Sequence, residues 1–130
     1  MSSARFRAAF RQSDRLATLV LQCVQSIVVQ IQQTAACNAL HGVEQRLCRW
    51  LLLTQDLANT NILPLTQDVL SQMLGVRRTT VTHAVYKLQT LGMIRRVQRG
   101  QIEIVDRKAL EHVVCECYED VRSRHAQYVI

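Results

Sequence analysis

Residues 66–88 contain two helical patterns separated by a single glycine, Gly75, and this arrangement restricts the fold more than any other part of the sequence. Thr66 is a typical helix N-cap, and four apolar residues follow it at helical spacing. A glycine at the end of such a pattern supplies the positive φ that often terminates a helix. The segment therefore predicts two short helices joined by a tight turn.

The second helical pattern has one apolar side and one polar side. Val81, Ala84, Val85 and Leu88 recur at i, i+3, i+4 and i+7, the spacing of a buried helix face. The opposite side carries hydrogen-bonding groups, and two arginines come at its start. The residues that this segment offers to a binding partner are Arg77, Arg78, Thr79, Thr80, Thr82, His83, Tyr86 and Lys87.

The net charge of +6 is concentrated in and after this segment. Six basic residues and no acidic residue lie between Val69 and Ile102, whereas the other basic residues are balanced by the 10 acidic ones. Positive charge confined to one stretch is typical of a protein that binds a polyanion. A solvated basic surface is the alternative that charge alone leaves open.

The N-terminal part predicts a short helix over residues 2–11 and a long helix from Ser13 or Asp14 to about residue 40. One side of the long helix is apolar in alternating steps of three and four, the spacing of a coiled-coil seam. Packing on its own domain is the alternative, but so long a helix extends beyond a small core, so we predict that it pairs with a second copy of the chain. The predicted dimerisation residues are Leu16, Ala17, Val20, Val24, Ile27 and Ile31.

The rest of the chain predicts a helix over residues 43–57, an edge strand over 62–65, and a hairpin of two strands at 94–97 and 101–105. Ile102 and Ile104 belong to the inner face of this hairpin. Its outer face or tip carries Arg95, Arg96 and Arg99. Asp106 caps a last helix that continues to about Tyr118.

This order of elements is that of a winged helix-turn-helix. We predict a mainly α fold with a small β-hairpin, divided into residues 1–41 with the long helix and residues 42–130 with the winged domain. A helix at about 77–89 that buries one side and offers Arg, Thr, His and Tyr on the other suits the DNA major groove, where it would act as a recognition helix. The hairpin, or wing, at about 94–105 suits the phosphate backbone.

Three further segments carry a family resemblance. Residues 65–82 have the sequence LTQDVLSQMLGVRRTTVT, residues 91–94 are LGMI, and residues 99–111 are RGQIEIVDRKALE. With EQRLCRWLL at 44–52, this pattern resembles the DNA-binding domain of the Crp/Fnr family of bacterial transcription regulators, and the long helix before it resembles that family's dimerisation helix. The resemblance is strong over about residues 43–111.

The resemblance implies roles for individual residues. The family's recognition helix usually begins Ser-Arg-Glu-Thr-Val, with an Arg two positions later, so Arg78 matches the base-contacting arginine. Thr79 stands in place of the glutamate and His83 in place of the later arginine, so the best-known family half-site does not transfer. Arg77 replaces the serine and adds a phosphate contact, and Ser71 replaces a small alanine of the first helix.

The resemblance also implies partners and a cellular setting. We expect a cytoplasmic homodimer that binds double-stranded DNA at an inverted repeat, with RNA polymerase as a further candidate partner. Family members carry an N-terminal sensor domain before the dimerisation helix, and this sequence lacks it. The chain is therefore a fragment or a naturally short relative, and we expect no cofactor.

Other classes of function have weaker support. Cys115 and Cys117 near His112, and Cys37 near His41, suggest a metal- or redox-sensing regulator, but two cysteines in one helix at this spacing point about 160° apart. We therefore expect no metal site. No grouping of residues predicts a catalytic site, so we expect no enzyme. The glutamines of the long helix argue against a membrane span. A protein-binding winged helix without DNA contact remains an alternative.

Overall fold

The structure, a computed structural model, describes the backbone of residues 1–128 and the side chains of residues 1–124. Its elements are α1 (Ser3–Gln12), α2 (Asp14–Leu40), α3 (Val43–Ala58), β1 (Ile62–Leu63), α4 (Gln67–Leu74), α5 (Arg78–Thr90), β2 (Ile94–Gln98), β3 (Gln101–Ile104), α6 (Arg107–Val113) and α7 (Cys117–Tyr128). The predicted fold, mainly α with a small β-hairpin and a long preceding helix, is confirmed.

Helix α3 lies at the centre of the hydrophobic core. Its Leu47, Leu51 and Leu52 are fully buried against the apolar sides of α4, α5 and α6 and the inner face of the sheet. Burying each such leucine contributes about 1.5–3 kcal/mol. The other buried residues of this core are Cys48, Leu63, Leu65, Leu70, Leu74, Val81, Ala84, Val85, Leu88, Met93, Ile94, Ile102, Ile104, Leu110 and Tyr118.

Two arginines of α3 are buried, which the sequence pattern does not indicate. Arg46 is 7% exposed and donates a hydrogen bond to the carbonyl of Leu74, at the C-terminus of α4. A cation at this end of a helix satisfies a carbonyl that has no partner within the helix. Arg49 is 1% exposed and donates to the Thr34 hydroxyl over 3.2 Å, which ties α3 to α2.

The three strands form an antiparallel sheet in the order β1-β3-β2. Gln98 opposes Gln101 across the turn, a register that would pair Arg95 with Ile104 if it continued unchanged. Arg95 instead opposes Glu103, so the register shifts by one residue between Arg96 and Gln98. Ile102 and Ile104 are each 4% exposed, as expected for the inner face of the hairpin. The turn contains Gly100 with a positive φ of 78°, a conformation that costs other residues strain.

The predicted last helix is wrong in one respect. Asp106 is its N-cap, and the Asp106 carboxylate accepts a hydrogen bond from the Ala109 amide over 3.0 Å. The helix, however, ends at Val113, and a new helix begins at Cys117. Because the chain changes direction at residues 114–116, Cys115 and Cys117 do not share one helix, and the angle predicted between their side chains does not apply.

Helix α2 packs along one side against α3 and α7 of the winged domain. Thr34 bonds to Arg49, and Cys37 is fully buried. Its earlier turns expose a row of aliphatic side chains. By length and composition alone, α2 is long and apolar enough to cross a membrane, with a mean hydropathy of 1.2 in its most apolar window.

Candidate nucleic-acid interface

The turn between α4 and α5 fixes the angle between the two helices. The Thr66 hydroxyl caps α4 by accepting a hydrogen bond from the Val69 amide over 3.2 Å. Gly75 ends α4 in the left-handed conformation, with φ 62°. The Ser71 hydroxyl donates to the carbonyl of Val76 over 2.6 Å. Ser71 is small enough to let α4 and α5 approach each other, and its hydrogen bond also stabilises the turn between them.

Helix α5 has the two faces that the sequence predicts. Its buried side consists of Val81, Ala84, Val85 and Leu88, each at most 2% exposed. The exposed side presents Thr79, Thr82, His83 and Tyr86, and Tyr86 is 69% exposed. Thr80 is half-buried, which makes it less available than the other threonines.

The first turn of α5 contains two arginines in different settings. Arg77 is the exposed N-cap and makes no capping hydrogen bond through its side chain. Arg78 is held across the turn by α4, with its Nη1 3.3 Å from the Asp68 carboxylate and its Nε donating to the Gln67 side-chain oxygen over 3.4 Å. Its side chain is nevertheless 63% exposed. The sequence indicates the role of Arg78 but neither of these two partners.

The wing arginines lie on two different sides of the hairpin. Arg96 and Arg99 line a cleft of about 540 Å³ together with Arg78 and the first turn of α4. Arg95 lines a different depression, and its Nε donates to the Glu103 carboxylate over 2.8 Å. The structure thus brings Arg78, Arg96 and Arg99 together and separates Arg95 from them.

Lys87 is also paired with an acidic residue. Its ammonium group lies 3.1 Å from the Glu44 carboxylate of α3. The pKa of the Glu44 carboxyl is lowered, first by a hydrogen bond from its own backbone amide and then by the hydrogen bond from Lys87. No side chain of residues 1–124 forms an ion pair with Arg77, Arg96 or Arg99. These three arginines carry the uncompensated positive charge of this surface.

The predicted dimerisation residues fall into two groups along α2. Leu16, Ala17 and Val20 are half-buried in the part of α2 that follows α1. Val24 is 50% exposed, Ile27 57% and Ile31 63%. Leu21 and Val28 lie on the same side of the helix and are also exposed, so an apolar stripe from residue 21 to residue 31 has no partner within the described chain.

The sequence of this domain matches a known family. Residues 45–113, more than half of the chain, fit the family described as the Crp-like helix-turn-helix domain. The chain belongs to this family. Its members are transcription regulators rather than enzymes. A comparison with curated proteins finds no match.

The Crp-like fold extends beyond the matched residues to the long helix. FixK2 from Bradyrhizobium japonicum superposes with a TM-score of 0.81 at 16% identity, over 88% of this chain and 60% of that one. A CRP-family transcriptional regulator from Thermus thermophilus gives 0.69 at 17% identity, over 78% and 54%. A Crp/Fnr-family regulator from Eubacterium rectale, described as putative, gives 0.65 at 21% identity, over 83% and 50%. This Crp-like chain therefore spans between half and three fifths of the length of these structures.

Proposed function

We propose that this Crp-like chain is a sequence-specific DNA-binding transcription regulator that acts as a homodimer on an inverted repeat. The observation that carries this proposal is the common cleft of Arg78, Arg96 and Arg99 beside the exposed polar face of α5. Residues 1–41 form the dimerisation region, and residues 42–130 form the DNA-binding domain. The protein acts in the cytoplasm, where RNA polymerase is a further candidate partner.

The polar face of α5 supplies the groups that read bases in the major groove. Arg78 can donate two hydrogen bonds to the O6 and N7 atoms of guanine, and the methyl groups of Thr79 and Thr82 can contact thymine. His83 and Tyr86 lie farther along the same face. Arg77, Arg96 and Arg99, which have no ion pair in the described chain, bind phosphates on either side of the groove. Arg95 and Lys87 contribute less to the positive surface because each is paired with a glutamate.

The exposed stripe of α2 supports the homodimer. Aliphatic side chains between residues 21 and 31 recur at coiled-coil spacing, and pairing two copies would remove them from water. A membrane fits this helix less well, because Gln22, Gln25, Ser26 and Gln30 would be placed among lipid chains. Pairing along α2 places two copies of α5 about 34 Å apart, in successive major grooves.

Selection of bound duplexes from a random pool tests the proposal directly. The expected result is enrichment of an inverted repeat whose half-sites are centred about one helical turn apart. Affinity for the selected duplex falls steeply with salt, with a slope of about −5 in log K against log salt for six phosphate contacts per dimer.

The rival function is a winged helix that binds another protein instead of DNA. It predicts no enriched sequence and no salt-dependent affinity for any duplex. The three unpaired arginines favour the DNA function, since phosphates are the partners that would neutralise them. A folded dimer that bound no duplex at low salt would overturn the proposal.

A further inference from the structure

Four potential metal ligands converge where α2 meets the chain between α6 and α7. The Sγ atoms of Cys37 and Cys115 are 3.6 Å apart, and the Cys117 Sγ lies 3.5 Å from the His41 Nδ1. The ligand atoms of all four residues lie within 4.8 Å of one another. The break in the helix at residues 114–116 makes this convergence possible, because it lets Cys115 and Cys117 face the same point.

The Cys37–Cys115 and Cys117–His41 distances match those of a tetrahedral zinc site, and the other pairs, at no more than 4.8 Å, would draw together slightly around the ion. Zinc binds sulfur at about 2.3 Å and imidazole nitrogen at about 2.0–2.1 Å, so neighbouring ligands around one ion are separated by about 3.5–3.8 Å. Three cysteines and one histidine form one of the usual ligand sets of structural zinc. A disulfide between Cys37 and Cys115 would use two of the four groups and leave Cys117 and His41 without a role.

The surroundings of His41 are also those of a metal ligand. While its Nδ1 faces Cys117, its Nε2 lies 3.3 Å from the carboxylate of Glu116. Histidine ligands of zinc commonly donate their second ring N–H to a carboxylate, which fixes the ring and strengthens its metal-binding nitrogen. Glu116 lies between the two ligands Cys115 and Cys117, in the segment that connects α6 to α7.

The three thiols are set apart from the main core. Cys37, Cys115 and Cys117 are 0%, 4% and 3% exposed and form a small buried cluster of their own. Burial raises the pKa of the Cys37 thiol to about 12, against the opposing effect of the nearby Arg49 guanidinium. The pKa of Cys115 is also raised, chiefly by burial. Such thiols stay protonated in water, but a bound cation displaces their protons.

We propose that Cys37, His41, Cys115 and Cys117 bind one zinc ion, which fastens the end of α2 to the C-terminal segment of the winged domain. Binding releases three thiol protons to solvent, and the site then carries one net negative charge beside the buried cation of Arg49. The proposal does not depend on DNA binding, because the ligands lie outside the proposed reading surface.

The test begins with the untagged full chain, purified under reducing conditions and loaded with zinc, and with the same protein loaded with Co²⁺. We expect stoichiometric zinc after removal of excess metal, and for Co²⁺ the intense visible absorption of a tetrahedral thiolate complex. Both measurements use the wild-type protein. A folded wild-type chain that retains no zinc, that carries an iron–sulfur chromophore instead, or that forms only a Cys37–Cys115 disulfide would overturn the proposal.

Variants then assign the ligands. Cys115→Ser and Cys117→Ser lose stoichiometric zinc, and Glu116→Gln weakens zinc affinity about 10–100-fold, as expected for a group that supports a histidine ligand. Cys23→Ser and His112→Gln are the matched controls, since Cys23 is exposed on α2 and the His112 Nδ1 contacts the carbonyl of Lys108. Equal loss of zinc in the controls, or full zinc in Cys115→Ser, would contradict this assignment.

Discussion

Arg78 is in contact with a carboxylate even before any DNA is bound. Its guanidinium lies against Asp68 and Gln67, and both partners of the ion pair are well exposed. Exposed pairs of this kind contribute about 0–1 kcal/mol. Asp68 therefore competes only weakly with a base for Arg78. A base with two acceptors, such as guanine, displaces the carboxylate from the guanidinium more readily than a base with one.

Replacing Arg78 separates base reading from phosphate binding. Arg78→Ala is expected to cost about 1–3 kcal/mol, with the loss confined to one base position of each half-site. Arg99→Ala, at the tip of the wing, is expected to weaken all duplexes alike and to reduce the salt dependence. Competition binding against duplexes with single base changes measures both effects. Equal and sequence-independent losses from the two variants would show that Arg78 does not read a base.

At the level of single residues, the sequence indicated which side chains face outward but not how they are paired. The helical period gave the exposed face of α5, because that pattern is local. The partners of Arg78, Lys87 and Arg95 come from other elements, and for Arg95 the pairing depends on the register shift between Arg96 and Gln98. Buried Arg46 and Arg49 were missed for the same reason, since charged residues are normally exposed unless a distant group satisfies them.

The wing is held in position by a glycine that satisfies two requirements. Gly100 has φ 78°, and a Cβ atom there would lie 3.1 Å from the Thr66 Cγ2 atom. Thr66 is the N-cap of α4. The tip of the wing therefore approaches the start of the helix-turn-helix, which keeps Arg99 on the same cleft as Arg78.

Gly100→Ala is expected to destabilise the protein by about 1–2 kcal/mol, because alanine is strained in the left-handed conformation and its methyl group also crowds Thr66. Urea denaturation followed by circular dichroism measures the change. Gln98→Ala is the control, since Gln98 lies at the same end of the hairpin, is exposed and does not have a positive φ. The explanation fails if both substitutions change the free energy of unfolding by the same small amount.

Among whole elements, local signals predicted most helices and strands correctly, and the exception is the break between α6 and α7. Caps and periodicity located α2, α4, α5 and the wing. The end of α6 carried no such signal, because Val114, Cys115 and Glu116 include neither glycine nor proline. The break at this point coincides with the approach of Cys115 and Cys117 to α2, so it reflects tertiary contacts that a local pattern does not contain.

At the scale of the whole molecule, the exposed stripe of α2 determines the proposed assembly. Ile27→Asp places a charge in the centre of this stripe and is expected to convert the dimer to a monomer at micromolar concentration. Size-exclusion chromatography with light scattering measures the mass, and affinity for an inverted repeat should fall in parallel.

Gln25→Asp is the matched control for this substitution. It introduces the same charge two residues away, about 200° around the helix, where Gln25 is already exposed. A dimer that survives Ile27→Asp, or that is lost equally in Gln25→Asp, would show that the stripe is not the contact between protomers.

The attachment of α2 along one side couples the proposed dimer contact to the position of the winged domain. One side of the helix packs against α3 and α7, with Thr34 bonded to Arg49 and Cys37 buried, while the apolar stripe at residues 21–31 stays exposed on another side. The 27 residues of α2 extend about 40 Å, so a change of about 10° in the crossing angle of two paired helices would move their ends by about 7 Å relative to each other. Because each α2 is packed on its own winged domain, the same change in angle would alter the spacing of the two reading helices.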